Sequence, residues 1–456
     1  MSWVRDECAT LDLQDTRREA RAMGLIETMF ERPSGSVLRT FVDPAAVKAA
    51  YRALSSEAFA PEALRQAQQD ACVKRLAEEP VVLAIQDTSD LNFTEHPGMA
   101  GRGPLPGPEQ WGLLLHSVLA VCEEGVPLGL LHQKTWTRDP AEAGSRERRK
   151  ARPIEEKESF RWVESLRAVQ GAVPAGTRVI HVADREADIY EVFAEPRPAN
   201  VELLIRAAQN RRVSGPLGKL WATVEAAPVA ERFTLCVTDA KTQTTRDAAI
   251  ELRFCRVELQ PPTHGQHAPD LAPVTVIAIL AREVGAPEGV RAVEWLLLTT
   301  LPVAAPEDAR WVVSRYGLRW LIERYHYVLK SACKIEESQL REVKRLERLL
   351  ALYSFVAWRL LWLTYAARQD DDQPCTVAFT DLEWRAAYAA RHRNQPLPTT
   401  PPSLREVIVW IACLGGYLHR RSDPPPGVKV LWRGLMRLHD IILGALILSP
   451  QLVGNG

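Results

Sequence analysis

The stretch Arg178-Val179-Ile180-His181-Val182-Ala183-Asp184 decides the fold. It is a short apolar run, rich in β-branched residues, that ends on an acid. A strand buried on both faces reads as a continuous apolar run, so this one is expected to be a core strand delivering Asp184 at its carboxyl end. Val81-Val82-Leu83-Ala84-Ile85 followed by Gln86-Asp87-Thr88 repeats the pattern nearer the N-terminus. In open α/β sheets, ligands bind outside the carboxyl ends of strands. Asp87 and Asp184 are therefore expected to meet in one site.

Between these two runs the sequence supplies a plausible sheet. A Gly/Pro-rich loop, Gly98 to Gly112, leads to apolar runs at Leu113 to Val121 and Pro127 to Leu131, joined by the hairpin turn Glu123-Glu124-Gly125. A charged segment from about 141 to 171, with Arg146, Arg148, Arg149, Lys150 and Arg152, reads as helix. After Asp184, a helix starts at Asp188 to Phe193 and a further strand runs from Val201 to Arg206. Three antiparallel strands, a helix, then parallel strands tipped with acids is the order of a ribonuclease-H-like α/β sheet. Residues 207 to about 293 alternate in strand fashion at Ile250 to Leu259 and Val274 to Leu280, around the loop Pro261 to Pro269, and read as a β-rich insertion. Trp295 to Thr300 leads out of it as a strand.

The flanks read as helical. Residues 1 to about 70 show no strand pattern, and Asp15 can cap a helix carrying Arg17, Arg18 and Arg21. Lys48, Tyr51 and Arg52 form a second basic-aromatic cluster. An amphipathic helix over about 338 to 368 precedes a hinge at Asp370-Asp371-Asp372-Gln373-Pro374. Beyond it, Ser403-Leu404-Arg405-Glu406 is a capping box. The expected domains are 1–70, 71–369 and 370–456.

A third acid completes the candidate site. Arg319, Glu323 and Lys330 follow Tyr316 at offsets of 3, 7 and 14 residues. On one helix all four fall within roughly 60° of arc. A carboxylate there can hold a divalent cation, and the Arg, Lys and Tyr beside it can hold phosphate oxygens. Asp87, Asp184 and Glu323 form an all-oxygen donor set suited to Mg²⁺ or Mn²⁺. Two such ions can clamp the attacking and leaving oxygens of an in-line displacement at phosphorus. Singly, each residue also has a bland reading: Asp87 as a turn cap, Asp184 as a helix start, Trp295 as a core aromatic, Arg319 and Lys330 as partners for Glu323. Three separate acids in this order and context favour the functional one.

Composition limits the alternatives. The 456 residues are 46% hydrophobic and 25% charged, which is ordinary for a globular protein. Lys plus Arg equal Asp plus Glu at 57 each. Zero net charge does not favour nucleic-acid binding, although a local basic patch can supply it. The eight cysteines are scattered without a Cys-x-x-Cys pair and read as reduced thiols. No signal peptide is visible, and the most apolar stretch, Leu349 to Tyr365, is too short and too flanked by charge for a membrane span.

These motifs together resemble the bacterial cut-and-paste DDE transposases of the transposon-five type, in the insertion-sequence-four group. The resemblance covers nearly the whole chain. It rests on Ile85-Gln86-Asp87-Thr88, Asp184-Arg185-Glu186-Ala187-Asp188-Ile189, Trp295 to Thr299, Tyr316-x-x-Arg319-x-x-x-Glu323 with Lys330, and Leu346-Glu347-Arg348. It rests also on Leu414-Gly415-Gly416 with Leu431-Trp432-x-Gly434. It implies that Asp87, Asp184 and Glu323 are the catalytic triad holding two Mg²⁺ or Mn²⁺ ions. Tyr316, Arg319 and Lys330 would hold phosphates around the cut strand end. Arg206, 22 residues after Asp184, would contact DNA near the cut, and Trp295 would stack a flipped base during hairpin formation. Arg17, Arg18, Arg21, Tyr51 and Arg52 match the region that recognises transposon ends, and residues 370–456 match a dimerisation domain. The implied partners are double-stranded DNA, as terminal inverted repeats and target, and a second copy in a synaptic dimer. A bacterial cytoplasmic, nucleoid-associated location with no membrane partner goes with this. A catalytically silent DNA-binding repressor and a metal-dependent nuclease without strand transfer stay open as alternatives.

Overall fold

The computed structural model describes residues 3–41, 43–142, 152–238, 245–263, 271–368 and 373–448. The chain enters through helices α1 (Trp3–Glu7), α2 (Thr16–Glu31), α3 (Val37–Thr40), α4 (Pro44–Ser55) and α5 (Pro61–Leu76). Asp15 caps α2 as expected, its side chain accepting from the Arg17 N–H. Helix α5 carries this helical region past residue 70 to Leu76, and strands begin at Val81.

The strands are β1 (Val81–Asn92), β2 (Gly103–Pro104), β3 (Trp111–Cys122), β4 (Pro127–Trp136), β5 (Arg178–Ala183), β6 (Val201–Arg206), β7 (Glu231–Thr238), β8 (Thr245–Leu259), β9 (Val274–Glu283) and β10 (Glu294–Thr299). Between them lie α6 (Phe160–Ala172), α7 (Tyr190–Ala194) and α8 (Leu220–Ala226). All ten described strands belong to one sheet, in the order β2-β3-β1-β5-β6-β10-β9-β8-β7, with β4 also on β3. Strands β1, β3 and β4 are antiparallel, while β1, β5 and β6 are parallel. The β-rich segment after 207 therefore extends the main sheet. Its exit strand β10 pairs with β6 on one side and β9 on the other. Sequence reading did not anticipate β7, whose side chains alternate between half-buried and exposed.

One expectation about β1 needs correction. The strand does not end at Asp87. It pairs with β5 only as far as Ile85 opposite Val182, but continues against β3 to Asn92 opposite Gly112. Backbone ladder bonds do not depend on side-chain polarity, so β3 carries the strand through Gln86-Asp87-Thr88. Asp87 thus lies mid-strand, at the level where the parallel neighbour stops.

Alternation on β1 separates two cores. Leu83, Ile85 and Leu91 join a cluster with the later helices, while Val82 and Ala84 pack with Val118, Ala120 and Val179 on the other face. On that other face α6 contributes Trp162, Val163 and Leu166 to a neighbouring cluster. Asp87 keeps the phase of Leu83 and Ile85, and Asp184 that of Ile180 and Val182, so both acids point to the face of the later helices.

Those helices are α9 (Pro306–Gly317), α10 (Trp320–Ser331), α11 (Val343–Ala366), α12 (Asp381–Arg391), α13 (Leu404–Leu414) and α14 (Val428–Leu448). Tyr316 and Glu323 therefore do not share one helix. The chain breaks at Leu318 and Arg319, where N–H groups of 318, 319, 321 and 322 bond three residues back. Gly317 weakens the helix at this point. Dihedrals at both break residues stay helical, so the path bends without reversing.

Helix α11 was expected to be amphipathic from about 338; it starts at Val343 and is buried nearly all round. It is long and apolar enough to cross a membrane, but 94% of the relevant window is buried inside the protein, the setting of a core helix. The N-terminal helices, β4, α10 and α14 all pack on it. Its two buried arginines have partners: Arg348 donates to Phe59 O and Leu54 O, and Arg359 donates to Ala378 O through Nη2 while lying over Trp3 and Trp362. The Ser403 capping box opens α13 as expected. Arg146, Arg148, Arg149 and Lys150, most of the loop Pro261 to Pro269, and the aspartates of the hinge at 370–372 lie outside the described residues.

Candidate active site

Asp87, Asp184 and Glu323 come from β1, the turn after β5 and helix α10. Strand register places Asp87 and Asp184 on adjacent strands, each two residues beyond the Ile85–Val182 pair. Helix α10 packs on β1 and turns Glu323 towards them. Asp87 Oδ1 accepts from the Thr88 N–H at 2.8 Å. Asp184 caps the 3-10 turn Arg185–Ala187, accepting from the Glu186 N–H at 2.9 Å. Glu323 is the most open, with its side chain 56% exposed against 20% for Asp87.

Charge ties the acids together. Burial pushes the Asp87 carboxyl up to about 7; the Arg319 guanidinium opposes this, and the charges of Asp184 and Glu323 add to it. A buried carboxyl that feels two further acids forms a site that favours added positive charge. Arg319 partly supplies it, pairing with Glu323 and lying 3.7 Å from Asp87.

Tyr316 is buried with its ring edge-on to Trp295, centroids 5.3 Å apart. Arg206, at the end of β6, donates to Glu294 O at 2.8 Å and sits against the Tyr316 phenol. The structure thus brings Arg206, Trp295, Tyr316 and Arg319 to the edge of the acid cluster. Lys330 stands farther along α10, 3.8 Å from Glu336. Arg17, Arg18 and Arg21 on α2 and Arg52 on α4 are exposed, Tyr51 is half-buried, and the two helices pack together.

Sequence reading missed a polar layer on the opposite face of the sheet. Thr88 Oγ1 lies 2.9 Å from His116 Nδ1, His116 Nε2 lies 3.4 Å from Gln86 Oε1, and Gln86 Nε2 lies 2.7 Å from His181 Nδ1. These are strand residues alternating with the acids, and histidines without ligand spacing gave no signal. Asp188, read as a helix start, is buried and accepts from the N–H groups of Ala208 and Gln209 and from Arg211. It anchors the loop that follows Arg206.

Buried histidines make stability depend on pH. Burial lowers His181 and His326 to about 3. The native forms stay neutral while the unfolded chain takes up protons below about pH 6.5. Each therefore costs about 1.4 kcal/mol per pH unit as pH falls from 6.5 towards 3. The urea midpoint is expected to drop steadily on acidification from pH 6.5 to 4, with a shallower slope in His181→Gln. An unchanged slope in that variant would mean His181 is protonated in the native state.

Residues 1–59 match the family model described as transposase DNA-binding, and residues 355–449 match the Tn5 transposase dimerisation domain. The second match begins inside α11 and takes in α12, α13 and α14. These two matches support a Tn5-type transposase. The acid cluster lies in the α/β region between the two matched segments, and Arg17, Arg18, Arg21, Tyr51 and Arg52 lie within the first of them.

Proposed function

We propose that this transposase cuts transposon ends and joins them to target DNA with Asp87, Asp184 and Glu323 as its catalytic triad, on a ribonuclease-H-like sheet. The observation that carries the reading is that the charges of Asp184 and Glu323 both bear on the buried Asp87 carboxyl, at the end of the sheet's parallel pairing. Strand order β4-β3-β1-β5-β6, antiparallel then parallel, supports the fold assignment. The domains are residues 1–70 for end recognition, 71–369 for catalysis and 370–456 for dimerisation.

The donor set is all oxygen, which suits hard divalent ions. Asp87, Asp184 and Glu323 are the residues that would hold the ions. When bound, two Mg²⁺ or Mn²⁺ ions supply an activated nucleophile and neutralise the leaving oxygen. The remaining groups position the DNA. Arg319 is within reach of the same space and would take up a phosphate, and Lys330 and Tyr316 would hold neighbouring phosphates. Arg206 would contact the duplex near the cut, and Trp295, half-buried beside Tyr316, would stack an extruded base. Water cuts one strand at each end. The freed 3′-hydroxyl attacks the opposite strand to give a hairpin, water reopens it, and the 3′ ends attack target DNA.

With zero net charge, end binding depends on a local set of exposed cations: Arg17, Arg18, Arg21 and Arg52. Binding is therefore strongly salt-dependent. Exposed Met436, Ile441, Leu443 and Ile447 on α14 offer an apolar surface for a second copy in the synaptic dimer. The transposase would act in the bacterial cytoplasm, at the nucleoid.

The test is incubation of the protein and Mg²⁺ or Mn²⁺ with a plasmid carrying the gene's own flanking DNA. Excised fragments with hairpin ends and 3′-joined products are expected. Cleavage without joining would leave a nuclease, and end binding without cleavage would leave a silent repressor.

A further inference from the structure

Arg161 on α6 links Thr88, next to Asp87 on β1, to Glu186 in the turn that Asp184 caps, from the face of the sheet away from the acids. Its side chain is only 10% exposed and lies over Trp162 and Trp136. Nε donates to Thr88 Oγ1 at 2.9 Å, and Nη2 donates to Glu186 Oε2 at 2.6 Å. Nη1 donates to Glu158 O at 3.0 Å, which ties the guanidinium to the start of its own helix. Thr88 follows Asp87 and gives it a backbone N–H, and Glu186 gives its backbone N–H to Asp184. One planar fork therefore holds both residues whose amides hold the two acids.

Arg161 also sets a direction. A guanidinium only donates, so Thr88 Oγ1 accepts from it and can pass its own proton to His116 Nδ1. His116 is wholly buried, and that burial keeps it neutral. A neutral ring that accepts at Nδ1 carries its hydrogen on Nε2, which fits its contact with Gln86 Oε1. The Gln86 amide then donates to His181 Nδ1. The chain ends at His181 Nε2, which is buried and has no hydrogen-bond partner among the described residues. Each link runs one way, from Arg161 through Thr88, His116 and Gln86 to His181, across β1, β3 and β5. A directional chain of this kind stiffens the strands it crosses.

We infer that Arg161 is a positioning residue for the catalytic acids, fixing the separation of Asp87 and Asp184 through Thr88 and Glu186. The inference rests on the assignment of those acids as ion ligands. Groups that orient first ligands are expected to shift metal affinity or activity by about 10–100-fold when removed. Lysine keeps the charge but cannot span two acceptors in a fixed plane.

The test uses the full chain bound to a transposon end, with Mn²⁺ binding read by electron paramagnetic resonance and cleavage followed against Mn²⁺ concentration. Arg161→Lys and Thr88→Val are expected to weaken Mn²⁺ binding about 10-fold or more and to shift the Mn²⁺ dependence of cleavage by a similar factor. Affinity for the DNA end should not change. Thr88→Ser keeps the hydroxyl and should restore both, which separates positioning from a general loss of fold. Wild-type Mn²⁺ binding in Arg161→Lys and Thr88→Val would overturn the inference. Asp184→Asn, run in parallel, tests the underlying assignment. If it binds Mn²⁺ normally, the triad reading fails; if it loses Mn²⁺ while Arg161→Lys does not, only the positioning role fails.

Discussion

Glu323→Gln leaves end binding intact and lowers DNA cleavage by about 1,000-fold or more, which corresponds to about 4 kcal/mol of barrier. The amide keeps the size of the side chain and can still accept from Arg319, but it removes the charge that would hold a divalent ion. The side chain is more than half exposed, so the fold should not notice the change. Asp184→Asn should behave likewise, because an asparagine can still cap the turn at Glu186. Asp87→Asn separates function from stability. Its carboxyl is pushed up to about 7, first by burial and then by the other acids, so the neutral amide relieves a cost in the folded state above that pH. This variant should melt higher than wild type at pH 8 and be inactive, the exchange expected where a site is built against stability. Cleavage by Glu323→Gln at the wild-type rate, measured on a plasmid with both ends, would remove Glu323 from the site.

Gly434→Ala should destabilise the C-terminal helices by about 3 kcal/mol or more, at the upper end of overpacking costs. A Cβ at 434 would stand 1.8 Å from the Ile411 carbonyl oxygen, and one at 415 would stand 1.7 Å from the Val430 carbonyl oxygen. Helices α13 and α14 thus meet backbone to backbone through two glycines, one from each side. Neither obstacle is a flexible side chain, so the helices must separate, and the contacts of Ile411, Leu435 and Leu438 loosen. The melting transition should broaden and fall, and sedimentation should show loss of the dimer. Gly444→Ala is the control. It lies in α14, and among the described residues no other element comes within 4 Å of its Cβ position, so alanine should be neutral or stabilising by up to about 1 kcal/mol. If Gly434→Ala melts with wild type, the close approach is not a determinant of this packing.

Much of the sheet was legible because its strands are short apolar runs. Arg178–Ala183 and Val201–Arg206 begin and end where the pattern changes. Asp87 was harder, since an edge in polarity is not an edge in hydrogen bonding, and β3 carries β1 past it. The stripe from Tyr316 to Lys330 reads as one helix because angular periodicity does not show a single tightened turn at 318–319. Gly434 appeared in a motif, but its reason, a carbonyl under 2 Å from a missing Cβ, belongs to another helix.

By itself the sequence determined which residues could hold ions and phosphates, since donor chemistry is a property of residue type. It determined as well most of the order of strands and helices, through periodicity, with β7 and the break between α9 and α10 as exceptions. Tertiary structure alone decided that Arg319 lies between Asp87 and Glu323, that β10 joins the later strands to the main sheet, and that Arg161 reaches Thr88 and Glu186. Such contacts join residues far apart in the chain, and their distances follow from packing the sheet between its helices. No local pattern encodes that packing.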